Sequence, residues 1–327
     1  MSGLHVSKTK LSDLRLVVFG AGTAGVGIAD QVRDAIAAER GISKEEAAKH
    51  IWYTSPSRGP FPHAVYVLTF PRLVDKPGLL TTGTDLTDAQ TSFARPKEDW
   101  ENKKTDLLGV INEIHPNVLV GTSTVPKSFT EEIVRAMAKH VDRPIILPLS
   151  NPTRLHEAVP EDLLKWTNGK ALVATGSPFK PVKGPWGEDG KEVEIEPAEC
   201  NNSVVFPGIG LGAVLCRANL VTDKMLVAAV EAVAGMGPVL KDPTAPLLPG
   251  VDVVRDVSVR VARKVIQSAV REGVATERDI PTDEGELDDW IREQMWKPEY
   301  RPLKKVEMEG ASRLARGELR VVGSLGV

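Results

Sequence analysis

Near the amino terminus, Gly20-Ala21-Gly22-Thr23-Ala24-Gly25 forms a G-x-G-x-x-G turn between an apolar run, Leu14 to Phe19, and a helical pattern that continues through about Ala38. Each glycine has its own mechanical task. Gly20 makes the tight turn out of the strand, Gly22 admits a pyrophosphate against the backbone, and Gly25 lets helix and strand pack closely. Phosphates would rest on the amides of the first helical turn, where the macrodipole favours negative charge. A glycine motif alone is a weak signal, because a purely structural turn has the same composition. Here strand and helix flank it in the order that a dinucleotide site requires.

The same alternation recurs downstream. Ser43 with Glu46 has capping-box spacing and starts a second helix toward His50. Asn117 to Val120 is another apolar run, followed by Ser128 and Glu131 in capping-box spacing and a helix over Glu132 to His140. Pro144 to Leu147 and Ala171 to Ala174 are two further short apolar runs, each ending in turn-forming residues. Strands alternating with helices predict an α/β chain with a Rossmann-type, doubly wound parallel sheet.

After about Asn201 the pattern becomes helical. Thr222 caps a run through Ala234 that is apolar on nearly every face and therefore demands burial. Val254, Val257, Val261 and Val265 form one stripe of an amphipathic helix over Val253 to Glu272, which Gly273 stops. Phe206-Pro207-Gly208-Ile209-Gly210-Leu211-Gly212 imitates a second phosphate loop, yet no strand leads into it, and close helix packing accounts for it better. The expected division is a dinucleotide-binding domain over 1–200, a helical segment over 201–273, and an extension and tail over 274–327.

Composition narrows the function classes. The net charge of −3 includes no basic stripe, so nucleic acid is not an expected partner. No apolar run approaches the roughly 18 residues of a membrane span, and the expected compartment is the cytoplasm. Cys200 and Cys216 are too few for a disulfide framework and read as small core residues. The six histidines show no ligand spacing. An acid that binds the adenosine ribose is expected at the end of the second strand, usually about 20 residues past the glycines. Glu45 and Glu46 stand at that distance but in a helix, whereas Asp75 closes Leu73-Val74-Asp75 and has the right local context.

Four blocks together resemble the malic enzymes: Val17 to Gly25, Leu149-Ser150-Asn151-Pro152-Thr153, Ala174-Thr175-Gly176-Ser177-Pro178-Phe179, and Asn201-Asn202-Ser203-Val204-Val205-Phe206-Pro207-Gly208. The resemblance covers about Leu14 to Tyr300 and corresponds to the C-terminal, NAD-binding portion of that family's longer chain. It implies oxidative decarboxylation of malate to pyruvate and carbon dioxide, with NAD or NADP as cofactor and magnesium or manganese as metal. Carried over residue by residue, Gly20, Ala21, Gly22, Thr23, Ala24, Gly25 and Asp75 would bind the dinucleotide. Asn151 would contact both malate and the nicotinamide ribose, and Asn201 with Asn202 would bind malate. Carboxamides suit that task, since they donate to a carboxylate and accept from a hydroxyl without changing charge. Read without the resemblance, Asn151 is an Asn-Pro turn residue and the Asn201-Asn202 pair a helix cap.

The resemblance also sets expectations about what is absent and what is extra. The family's general-acid tyrosine, general-base lysine, malate-gripping arginine and three metal-holding acids all precede the glycine turn. None of them maps onto this sequence, so no catalytic or metal-ligating residue is assigned, and the chain by itself is expected to bind cofactor without turnover. The late start also leaves a mitochondrial origin open, and relatives of full length imply a homo-oligomer. Where the family reads an unbroken second strand, Ile51-Trp52 and Leu73-Val74-Asp75 stand apart here, separated by Tyr53 to Arg72 with Pro56, Pro60, Pro62 and Pro71. That segment reads either as translated intron or as a genuine surface loop. Two functions remain: the dinucleotide-binding part of a malic enzyme, or a stand-alone dinucleotide-binding module without catalysis.

Overall fold

Within the strand that precedes the glycine turn, Leu16 and Val18 enter one apolar cluster while Val17 and Phe19 enter another. That period-2 division belongs to a strand covered on both faces. A computed structural model, which describes residues 1–55, 78–83 and 86–300, builds the rest around it. Helix α1 (Ser2–Val6) leads to β1 (Leu16–Phe19), followed by α2 (Thr23–Arg40), α3 (Lys44–Ala48), β2 (Ile51–Ser55) and β3 (Gly78–Leu79). Next come α4 (Asp88–Thr91), α5 (Leu107–Ile114), β4 (Val118–Gly121), α6 (Glu131–Ala138), β5 (Ile145–Pro148), α7 (Pro160–Trp166) and β6 (Leu172–Thr175). A hairpin of β7 (Val182–Gly184) and β8 (Val193–Ile195) precedes β9 (Ala198–Glu199).

Seven strands form one sheet in the order β3-β2-β1-β4-β5-β6-β9. All neighbours are parallel except β2 and β3. Ala29 and Ile36 of α2, with Ala47 and Ala48 of α3, join the cluster on one face. Val110 and Ile111 of α5, Val134 and Met137 of α6, and Leu163 and Leu164 of α7 join the other. The doubly wound α/β architecture expected from the alternation is therefore present. Because β1 pairs with both β2 and β4, successive connections leave it in opposite directions. This opens a crevice at the carboxyl ends of those strands.

Two details differ from the sequence expectation. Thr130, not Ser128, caps α6, accepting from Ile133 N–H, while the Ser128 hydroxyl turns back to the Val125 carbonyl. Both residues are competent caps, and only the path of the preceding turn chooses between them. The second strand also runs on through Ser55, with Tyr53 opposite Val18 and Thr54 opposite Phe19. The expected insert thus loses its first residues to the sheet. Residues 56–72 of it, and Asp75, lie outside the described residues.

Past β9 the chain is helical: α8 (Phe206–Leu215), α9 (Asp223–Ala234), α10 (Val254–Arg271) and α11 (Glu284–Gln294). The 200/201 boundary falls here, inside a compact unit that spans Met1–Glu293. Gly208 and Gly212 let α8 lie directly on α10, since a Cβ on Gly208 would stand 2.5 Å from Val261 Cβ and one on Gly212 2.9 Å from Val265 Cβ. Helix α9 starts at Thr222, whose hydroxyl accepts from Met225 N–H. Its burial is one-sided: Met225 and Ala229 are fully covered, but Val230 is exposed. With Val227, Ile28, Val32 and Leu248, Val230 borders an apolar cavity of about 270 Å³. Cys216 is buried as expected, whereas Cys200 is exposed.

Candidate functional site

Local geometry separates the three glycines of the turn. Gly20 has φ +120°, and a Cβ there would meet the Thr122 backbone at 2.5 Å. Only glycine fits such a combination of left-handed φ and close approach. A Cβ on Gly25 would fall 2.1 Å from the Gly20 carbonyl oxygen, so the start of α2 sits against the end of β1. Gly22, the N-cap of α2, has nothing within 4 Å of its Cβ position and carries no side-chain cap. Gly22, Thr23 and Ala24 are exposed. The first amides of an 18-residue helix therefore open toward free space at the mouth of the crevice.

Side chains from other elements hold this turn in place. Thr122 Oγ1, just past β4, donates to the Gly20 carbonyl at 2.9 Å. Gln90 Nε2 in α4 donates to the Ala21 carbonyl at 2.8 Å, and Tyr53 Oη in β2 donates to the Gly25 carbonyl at 2.8 Å. Burial pushes the Tyr53 phenol pKa far above its ordinary value, with Asp30 reinforcing and Arg33 opposing, so it remains a donor. The carbonyls of Gly20, Ala21 and Gly25 are thus engaged from behind, and the Gly20 amide donates to the Thr54 carbonyl, while the exposed residues Gly22 to Ala24 leave the first helical amides facing outward. That division suits an anion and not a cation.

The other expected residues stand along the same edge. In a sheet whose β1, β4, β5, β6 and β9 are parallel, every strand ends on one side. Asn151 follows β5, two strands from the glycine turn or ~10 Å, and Asn201 follows β9, four strands away or ~19 Å. Asn151 is exposed, precedes a cis peptide to Pro152, and accepts from Ser177 Oγ past β6 at 2.6 Å. Gly176 leaves room for it, because a Cβ there would lie 2.7 Å from Asn151 Nδ2. The two carboxamides past β9 are not equivalent. Asn201 caps a short 3-10 turn, accepting from Ser203 N–H and donating to Glu199 Oε1. Asn202 is exposed. The helix-cap reading therefore describes Asn201 as it stands.

Glu157 is a residue that sequence reasoning passed over. It is fully buried, and its Oε1 accepts from Ser123 N–H at 2.8 Å, Ser123 Oγ at 2.8 Å and Ser150 Oγ at 2.5 Å. Ser150 Oγ in turn accepts from Thr124 N–H at 2.9 Å. One charge-assisted cluster thereby ties the loop after β4 to the loop that carries Asn151. Its sequence context, Arg154-Leu155-His156-Glu157-Ala158, gives no signal of burial; only the fold shows that this carboxyl is enclosed and must find partners. Among the described residues no group of three or more His, Cys, Asp or Glu could hold a metal ion. The divalent metal that the resemblance implies therefore finds no ligand set here.

Comparison with known proteins gives the family and the fold. The family model described as malic enzyme, NAD binding domain, matches residues 1–57 and 70–270. The gap of 58–69 lies inside the expected insert and is narrower, and Asp75 belongs to a matched stretch. NAD-dependent malic enzyme 3 of Bacillus subtilis is 43% identical over 314 residues, 94% of this chain and 50% of that protein. The mitochondrial NAD-dependent malic enzyme of Saccharomyces cerevisiae is 41% identical over 94% of this chain and 44% of its own length. The chain spans about half the length of the curated relatives it matches. The crystal structure of malic enzyme from Pyrococcus horikoshii superposes with a TM-score of 0.63 at 22% identity, over 89% of this chain and 55% of that one, a likeness of fold.

Proposed function

This chain belongs to the malic enzyme family, and from that premise we propose that it is the part that binds NAD and presents it to malate. The observation that carries the reading is the turn after β1, whose carbonyls are tied down from behind and whose exposed amides around Gly22 open into the crevice. A pyrophosphate fits where a Cβ on Gly22 would meet nothing. When bound, the nicotinamide supplies the hydride acceptor for the C2 carbon of malate.

The chain's own residues bind and orient. Gly20, Ala21, Gly22, Thr23, Ala24 and Gly25 hold the phosphates, and Asp75 takes the free ribose hydroxyl, which favours NAD over NADP. Asn151, steadied by Ser177 and by the Glu157 cluster beneath it, contacts the nicotinamide ribose and malate. Asn202 donates to a malate carboxylate, and Asn201 positions it through the 3-10 turn that it caps. Proton transfer and release of carbon dioxide need acid-base groups and a metal that the described residues do not bring to this edge. In this reading the chain alone binds NAD without turning over malate.

Calorimetric titration of the folded chain with NAD and NADP tests the proposal. Saturable binding of NAD, weaker binding of NADP, and a weakening of both by tenfold or more in Gly22→Ala are expected. No saturable binding of either dinucleotide overturns it. Reduction of NAD by malate and manganese with this chain alone would overturn only the statement that it lacks turnover.

A further inference from the structure

The opposite, amino-terminal edge of the sheet carries a second recess, polar where the crevice is partly apolar. It measures about 540 Å³ and is bordered by Lys8 after α1, Arg15 before β1, Asn117 before β4, and His140, Asp142 and Arg143 before β5. The length of β1, four residues or ~13 Å, separates it from the glycine turn.

Its charge is unbalanced. Asp142 is the one carboxylate on the border among the described residues, and it pairs with Lys170 at 2.5 Å. No ion pair among the described residues engages Lys8, Arg15 or Arg143. Three helices end nearby, α1 at its C-cap Ser7, α5 at its C-cap His115 and α6 at its C-cap Lys139. Their carbonyl ends contribute roughly −0.5 charge each, about −1.5 together. Three cationic side chains outweigh that sum, and Lys139 adds a fourth.

The two arginines are also oriented. Arg15 Nε donates to the His115 carbonyl at 2.9 Å, and Arg143 Nε reaches the Lys170 carbonyl at 3.4 Å. Each guanidinium is thus anchored through one nitrogen, with its two terminal nitrogens left for a planar, two-oxygen partner. The His140 ring stacks on His115 with centroids 3.6 Å apart. Desolvation first, then His115, Lys139 and Arg15, hold the His140 pKa below its ordinary value. Lys8 and Arg143 border the same recess and act in the same direction, whereas Asp142 opposes them. A bound anion would reverse this balance and charge the ring.

We propose that this recess is a binding site for a small polyanion, whose carboxylate or phosphate oxygens engage Arg15 and Arg143 with Lys8 at the rim, distinct from the dinucleotide crevice. The inference does not depend on the proposed function. Titration calorimetry on the whole chain, with NAD present in excess, tests it using inorganic phosphate and succinate as separate probes. Saturable binding of at least one probe at millimolar concentration is expected, and the probe that binds identifies the class of anion. Affinity should fall about tenfold in the double variant Lys8→Glu, Arg15→Gln. Succinate affinity should rise as pH falls through the range in which His140 takes up its proton, since a bound anion favours the charged ring. Should Arg15→Gln fail to fold, because its Nε supports the His115 carbonyl, Lys8→Glu alone on the exposed rim carries the test with a smaller loss. Absence of saturation by both probes, displacement of the probe by NAD, or full affinity in Lys8→Glu overturns the proposal.

Discussion

Gly20 to Gly25 and Phe206 to Gly212 are both runs of alternating glycines, yet a strand leads into the first and a 3-10 turn into the second. In the first run the close contacts are with backbone: Gly20 against Thr122, and Gly25 against Gly20 itself. In the second they are with a neighbouring helix, Gly208 against Val261 and the Ser258 carbonyl, Gly212 against the Ala262 carbonyl and Val265. Each run also keeps one glycine with nothing opposite it, Gly22 and Gly210. The open position of the first stands at a helix N-terminus with its amides exposed, whereas that of the second stands within α8, where the amides are consumed by the helix. What a glycine is for depends on what faces it, and composition alone does not reveal that.

Single substitutions to alanine separate these roles, and the largest effect belongs to Gly25. Its new Cβ would lie 2.1 Å from a backbone oxygen that cannot rotate away. A loss of about 3 kcal/mol in denaturant unfolding is expected, together with loss of NAD binding. Gly212→Ala should cost about 2 kcal/mol, because a clash of up to about 3 kcal/mol with Val265 and the Ala262 carbonyl outweighs the roughly 1 kcal/mol gained in helix propensity. NAD affinity should not change in that variant, and a parallel loss would show that the two runs are not independent. Gly22→Ala inverts the pattern: stability within about 1 kcal/mol of the parent, and NAD affinity weakened tenfold or more, about 1.4 kcal/mol. Gly210→Ala, exposed and unopposed, should stabilise by about 0.5–1 kcal/mol in the same unfolding measurement.

Much of the fold was legible because it is local. The apolar runs at 14–19, 117–120, 144–147 and 171–174 each became a strand within a residue or two, and Ser43 and Thr222 capped their helices as read. The errors have a common origin. Ser128 lost to Thr130 because the turn before α6 follows the backbone pairing of Lys127 and Phe129 with His156 and Glu157. Tyr53 was assigned to an insert because nothing nearby in sequence shows that its phenol answers the Gly25 carbonyl, 28 residues earlier. Helix α9, apolar on nearly every face, calls for burial, and Val230 shows that the neighbours present cover only part of it.

For the candidate site, the glycine spacing and its flanking strand and helix marked Gly20 to Gly25, whereas Asn151, Asn201 and Asn202 were marked only by the resemblance to the malic enzymes. Their alignment on one edge follows once the strands are parallel. The burial of Glu157 under two loops was not readable, since its bonds to Ser123 join residues 34 apart, whereas the cap made by Asn201 is local, to Glu199 and Ser203 two residues either side.

Periodicity, caps and the glycine spacing are properties of contiguous residues, so the chain carries them before it folds. The hydrogen bond from Thr122 to Gly20 joins residues 102 apart, and the recess at the far edge collects Lys8, Arg15, His140 and Arg143 from two separate connections. Such neighbours are chosen by the crossovers of the sheet and not by any stretch of sequence. Packing therefore decided which carbonyls of the glycine turn are tied down, which carboxylate is buried, and where positive charge accumulates.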